Sequence, residues 1–111
     1  AIGRQHGANA LVAPNFSMGA VMMMKVAAEL APYFPDVEII ELHHNHKYDA
    51  PSGTSVLTAK LINEAKKAAG VKAQEDLTRE SLPGARGAKV DDVTIHSVRL
   101  PGYVAHHLWW L

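Results

Sequence analysis

The chain has 111 residues, and its eleven Lys plus Arg balance eleven Asp plus Glu to a formal net charge of zero. With 48% hydrophobic and 20% charged residues it can bury the core of one domain, which excludes a disordered polymer and argues against a nucleic-acid binder that works by neutralising phosphates. There is no run of about 18 apolar residues to span a membrane, and the absence of cysteine excludes disulfides, thiolate nucleophiles and Cys-ligated metals.

In chain order, Ala1 to Ala8 reads as a lead-in and Asn9 to Ala13 as a short strand ending at Pro14. From Ser17 the composition turns to Met, Val, Ala, Lys and Glu. Met18, Val21, Met22, Lys25, Val26, Glu29 and Leu30 recur at helical spacing, with Asn15 or Ser17 as the cap and Pro32 near the stop. The run Met22-Met23-Met24 reads as adaptable core filler rather than a cofactor box. Val37 to Lys47 is rich in β-branched residues and predicts one long strand. A loop over Ala50 to Gly53 leads into a second helix, Thr54 to Ala69, with Leu57, Leu61, Ala65 and Ala68 on one stripe and Gly70 closing it. Val71 to Asp92 reads as a long loop, Val93 to Leu100 as a strand, Pro101-Gly102 as a turn, and Tyr103 to Leu111 as a further strand. The chain has no initiator Met and no signal-peptide leader, and it stops on Leu108-Trp109-Trp110-Leu111. It is expected to be part of something larger.

Seven histidines stand in the chain, and three of them crowd into Glu41-Leu42-His43-His44-Asn45-His46-Lys47-Tyr48-Asp49-Ala50-Pro51-Ser52-Gly53-Thr54. In an extended strand His43, Asn45 and Lys47 share one face, and His43 lies about 13 Å from Lys47 at about 3.3 Å per residue. They serve one small molecule only if the chain curls near Asn45 or the molecule lies along the strand. Pro51-Ser52-Gly53-Thr54 opens a helix whose first N–H groups form an anion seat, and Gly53 leaves the backbone open to a ligand. A group that titrates near neutrality, a fixed cation and an anion cradle together suit a small dianionic substrate. Taken singly, each histidine reads more readily as a surface or core residue than as a catalyst, and Pro-Ser-Gly-Thr as an ordinary helix cap. It is no Walker loop, which needs a longer glycine-spaced stretch with Lys before the Ser or Thr. His44 and His46 could share a metal but lack a third ligand of similar spacing. His106 and His107 would face opposite ways in a strand.

The fourteen-residue segment resembles the signature of the dihydrodipicolinate reductase (4-hydroxy-tetrahydrodipicolinate reductase) family, Glu-x-His-His-x-x-Lys-x-Asp-x-Pro-Ser-Gly-Thr, and meets every fixed position. Ala13-Pro14-Asn15-Phe16-Ser17 resembles the family's hinge into its second domain, and Ile95 to Gly102 a later strand and turn. The resemblance implies an oxidoreductase of the diaminopimelate route to lysine, transferring hydride from NADH or NADPH to a cyclic dicarboxylate imine. It implies His43 as the acid–base residue and Lys47 as the cation assisting proton transfer. It implies that His44, Ser52, Gly53 and Thr54 bind substrate, and that Ala13, Pro14, Asn15 and Phe16 touch the cofactor. No glycine-rich dinucleotide loop occurs in the sequence, so the cofactor would be held mainly by a Rossmann domain outside this chain.

The expected fold is therefore α+β: a mixed or antiparallel sheet with both helices on one face and the other face open for subunit assembly. Residues 1–13 would be the hinge from the dinucleotide-binding domain, and residues 14–111 an incomplete substrate-binding and oligomerisation domain. The expected setting is cytoplasmic, in a homotetramer, with a small dicarboxylate as partner, no nucleic acid, no membrane and no metal. Two other readings stand beside it: an assembly module without activity, and a His-rich metal-binding domain.

Overall fold

The computed structural model describes residues 10–14, 17–103 and 105–110. Strand β1 (Ala10–Pro14) precedes helix α1 (Ser17–Leu30), which ends in a 3-10 turn at Ala31–Tyr33. Then follow β2 (Glu38–His43), α2 (Gly53–Ala69), β3 (Ala88–Val90), β4 (Val93–Arg99) and β5 (Ala105–Trp110). The strands form one mixed sheet in the order β1-β5-β2-β4-β3. β2 and β4 run parallel, with Ile39 opposite Ile95 and Glu41 opposite Ser97, and the other pairs are antiparallel.

Residues at alternate positions of β2 explain the layering, since side chains alternate faces along a strand. Ile39, Glu41 and His43 are buried, while Glu38, Ile40 and Leu42 are half-buried. Ile39 joins Val93 and Ile95 of β4, Met24 and Ala27 of α1, and Ala59 and Ile62 of α2 in one core. Both helices thus cover the same face of the sheet. On the opposite face Ile40, Leu42 and Val98 share the pleat, and no helix among the described residues covers them. No described helix is long and apolar enough to cross a membrane.

Several expectations need correction. The long strand predicted to Lys47 stops at His43, because the chain turns at Asn45 and His46. Helix α1 buries Ala20, Met24 and Ala27, and the 3-10 turn after it buries Ala31, whereas Val21, Met22 and Val26 of the predicted stripe are exposed, Met22 by 62%. Helix α2 buries Ser55, Thr58, Ala59, Ile62 and Lys66; of the predicted stripe Leu61 and Ala65 pack half-buried against the core, while Leu57, 48% exposed, and Ala68 face outward. The small hydroxyls pass as core residues because they bond locally: Thr58 Oγ1 donates to the Thr54 carbonyl, and Ser55 pairs with Ser52. Lys66 is buried because its ammonium reaches the Pro35 carbonyl and Asp92.

The stretch read as a loop over Val71 to Asp92 contains β3 at its end. The rest is fastened by side chains rather than by a ladder. The Gln74 amide donates to Asp36 and the Ala73 amide to Asp92, while Arg86 bonds Asp76 and Glu38. Gly87 sits at φ +72°, and a Cβ there would come within 2.6 Å of the Ile95 carbonyl oxygen, so only glycine fits this crossing. The lead-in Ala1 to Ala8, and Asn9, Asn15 and Phe16, lie outside the described residues, as does the Ser17 side chain named as a cap.

Candidate active site

Strand β2 delivers Glu41 and His43 to the helix side of the sheet, beside the start of α2. The Glu41 side chain is 0% exposed. Burying an unpaired carboxylate costs several kcal/mol, and the surrounding donors offset that cost. Oε1 accepts from His43 Nδ1 at 2.6 Å and from Arg99, and Oε2 from the Ser52 amide at 2.6 Å, Arg99 at 3.0 Å and Ser97 Oγ at 3.2 Å. Burial alone would push the Glu41 carboxyl up, but the bonds from Arg99, Ser52 and His43 outweigh it and lower it to about 2. Glu41 is therefore an anion at every working pH. Its contact with Nδ1 orients the ring of His43, itself 5% exposed.

After His43 the backbone stays tied to β4, with the Leu100 amide on the His43 carbonyl at 3.1 Å, and then turns with the Lys47 amide on the His44 carbonyl at 3.3 Å. This is the curl near Asn45 that was one of the two ways for His43 and Lys47 to serve one small molecule. Lys47 Nζ lies 3.1 Å from Asp49 Oδ1. The bond from Lys47 holds the Asp49 carboxyl below its usual range, helped by its own amide and that of Gly53. Arg99 completes the loop by donating to the Asp49 carbonyl at 2.9 Å.

Ser52 caps α2: its Oγ accepts from the Ser55 amide at 3.2 Å and donates to Ser55 Oγ at 2.9 Å. With its amide on Glu41 and only 3% of the residue exposed, Ser52 builds the helix start. Gly53 is exposed, with nothing within 4 Å of where a Cβ would stand. His44 and His46 are exposed, with ring centroids 6.0 Å apart, and the His46 amide donates to His44 Nδ1. No group of three metal-ligating side chains occurs among the described residues. In backbone register Ala13 lies level with His107 and Glu41, and Pro14 with His106 and Leu42. The exit of β1 is thus at the same end of the sheet as His43, two strand spacings or about 10 Å from β2.

Residues 19–111 match the family model described as dihydrodipicolinate reductase, C-terminus. The chain belongs to this family. Similar curated proteins are the 4-hydroxy-tetrahydrodipicolinate reductases of Dictyoglomus turgidum, 57% identical over 96 residues, and Beutenbergia cavernae, 55% identical over 105 residues. These alignments cover 86% and 95% of this chain but only 36% and 42% of the relatives, so the chain spans about two-fifths of their length. The structure of a dipicolinate-bound dihydrodipicolinate reductase from Paenisporosarcina sp. TG-14 superimposes with a TM-score of 0.74 at 55% identity, over 86% of this chain and 36% of that one. A dihydrodipicolinate reductase C-terminal domain is what the mixed sheet and its two helices represent.

Four site residues escaped a role in the sequence reading. Glu41 stood in the motif, but its burial depends on Arg99, 58 positions away, which no local pattern signals. Ser97 and Arg99 flank Val98 in the stretch resembling a family strand, and Asp49 was a fixed motif position without an assigned partner. An acidic residue alternating with apolar ones in a buried strand was the one available signal for Glu41.

Proposed function

We propose that this chain supplies the substrate-binding and proton-donating part of an NAD(P)H-dependent reductase. The substrate would be 4-hydroxy-tetrahydrodipicolinate, reduced to tetrahydrodipicolinate in the diaminopimelate route to lysine in the cytoplasm. The observation carrying this reading is the single frame in which buried Glu41 holds both the His43 imidazole and the start of α2. The names of the relatives, and the dipicolinate bound to the Paenisporosarcina enzyme, point the same way.

In this reading the amides of exposed Gly53 and half-buried Thr54 take one substrate carboxylate, and Lys47 exchanges its Asp49 partner for the ligand's negative charge. His44, exposed beside the turn, binds the substrate's other end. His43 gives a proton through Nε2 as charge develops on the reacting ring, and Lys47 assists. The nicotinamide group supplies the hydride when bound. This chain has no glycine-rich loop to hold a dinucleotide, but the end of β1 fits a contact with the nicotinamide end, and Ala13 to Phe16 would provide it. The open sheet face, with Ile40, Leu42 and Val98, would join subunits into a homotetramer.

The test is a reductase assay on this chain joined to the preceding part of the Dictyoglomus turgidum relative. The joined protein should oxidise NADH or NADPH in the presence of substrate, and the chain alone should not. His43→Ala should lower turnover by about 10²–10⁴ with little change in KM, the usual worth of a positioned acid. Lys47→Ala should lower turnover and also raise KM, because a charge partner of the dianion is lost. Near-normal turnover in both variants would overturn these roles.

A further inference from the structure

We infer that Glu41 is a positioning residue that locks the acid–base imidazole and the carboxylate seat into one rigid frame, with Arg99 holding it as an anion. The geometry requires all of its parts. Three elements meet on one buried carboxylate: β2 through His43, the α2 cap through Ser52, and β4 through Ser97 and Arg99. Five donor atoms share two oxygens, and the planar Arg99 fork spans both of them. Rotation about the last side-chain bond would break bonds on both oxygens at once, so the direction from Oε1 to the imidazole is fixed. The same rigidity fixes where α2 begins, because the amide on Oε2 belongs to its cap residue. Arg99 extends the lock outward by donating to the Asp49 carbonyl, at the residue that pairs with Lys47.

A glutamine at position 41 has nearly the same shape but one acceptor oxygen. Whichever way its amide turns, its NH2 faces two or more of the five donors. Glu41→Gln should therefore leave the fold in place while disconnecting the imidazole from the seat. That the frame serves a dicarboxylate rests on the function proposed above; that it positions His43 does not.

The experiment is Glu41→Gln in this chain, read by nitrogen-15 NMR of the His43 ring and the Ser52 amide, with pyridine-2,6-dicarboxylate as the probe ligand. In the unaltered chain His43 should hold its hydrogen on Nδ1 whenever the ring is neutral, and the Ser52 amide proton should lie far downfield. In the folded variant the ring should populate both tautomers, the Ser52 amide should move upfield, and probe affinity should fall about tenfold or more, the worth of one charge-assisted bond. A folded variant with an unchanged ring tautomer and an unchanged Ser52 amide overturns the inference. If Glu41→Gln does not fold, Arg99→Lys, which keeps the charge and loses the fork, is read the same way: a mixed ring tautomer supports the inference and an unaltered one overturns it. If the unaltered chain ignores the probe while Glu41→Gln still mixes the tautomers, the positioning role stands and the proposed function falls.

Discussion

At the scale of residues, the buried Glu41 makes a clear demand on acid stability. Its carboxyl is lowered to about 2 in the folded chain, against an ordinary value of 4.5. A group with a lowered folded value stabilises above its unfolded value and loses that contribution as pH falls toward the folded one. The loss should therefore run from about pH 4.5 down to about pH 2. Glu38, held low mainly by its bond to Arg86, adds to it in the same direction. Urea midpoints taken between pH 7 and pH 2.5 should be flat to about pH 5 and then fall. The fall should be shallower in Glu41→Gln, and an equally steep fall there would contradict the assignment. The residue roles read from the sequence are uneven in the same way. His43 and Lys47 carry visible chemistry in a run of histidines, whereas Glu41 acquires its role from Arg99 and Ser97 on another strand. The Ser52 hydroxyl and amide, expected to meet a substrate carboxylate, are bonded within the fold to Ser55 and Glu41.

Elements were legible where periodicity and punctuation agree. Helix α2 has its cap at Ser52 and its stop at Gly70, whose φ of 72° lets its amide close the last turn, and both ends were readable within a residue. Its buried face was not, because Ser55, Thr58 and Lys66 are core residues only by virtue of bonds to Ser52, Thr54 and Pro35. The end of β2 was misplaced because His44 to Lys47 continue the strand-like composition while the backbone turns. β3 is three residues long and paired only with β4, too short to leave a pattern. The long segment before it makes its own prediction. Arg86 grips Glu38 with both terminal nitrogens and Asp76 with Nε, while its amide donates to Glu80. Arg86→Ala should therefore speed amide exchange and proteolytic nicking across residues 74–86 several-fold, with α2 and β4 unaffected. Unchanged exchange in that segment would show that Asp36 and Asp92 hold it unaided.

At the scale of the whole molecule, one sheet face is covered by two helices and the other presents Ile40, Leu42 and Val98 with no described helix over them. Half-buried β-branched and aliphatic side chains on an open face suit the assembly surface proposed above. Light scattering after size exclusion should give a mass several times 12.0 kDa, and Leu42→Glu with Val98→Glu should return it to that of one chain. A monomer in the unaltered chain would remove the assembly role and leave the site intact. The site faces the other way, toward the start of α2, and its claim is the more central. It is tested most directly by titrating the chain with pyridine-2,6-dicarboxylate and following its backbone amides by NMR. The Gly53 and Thr54 amides and the Lys47 side chain should move first, with an affinity that weakens as salt screens the exposed charges. Unmoved Gly53 and Thr54 amides at millimolar ligand, or movement confined to residues away from the start of α2, would contradict the account.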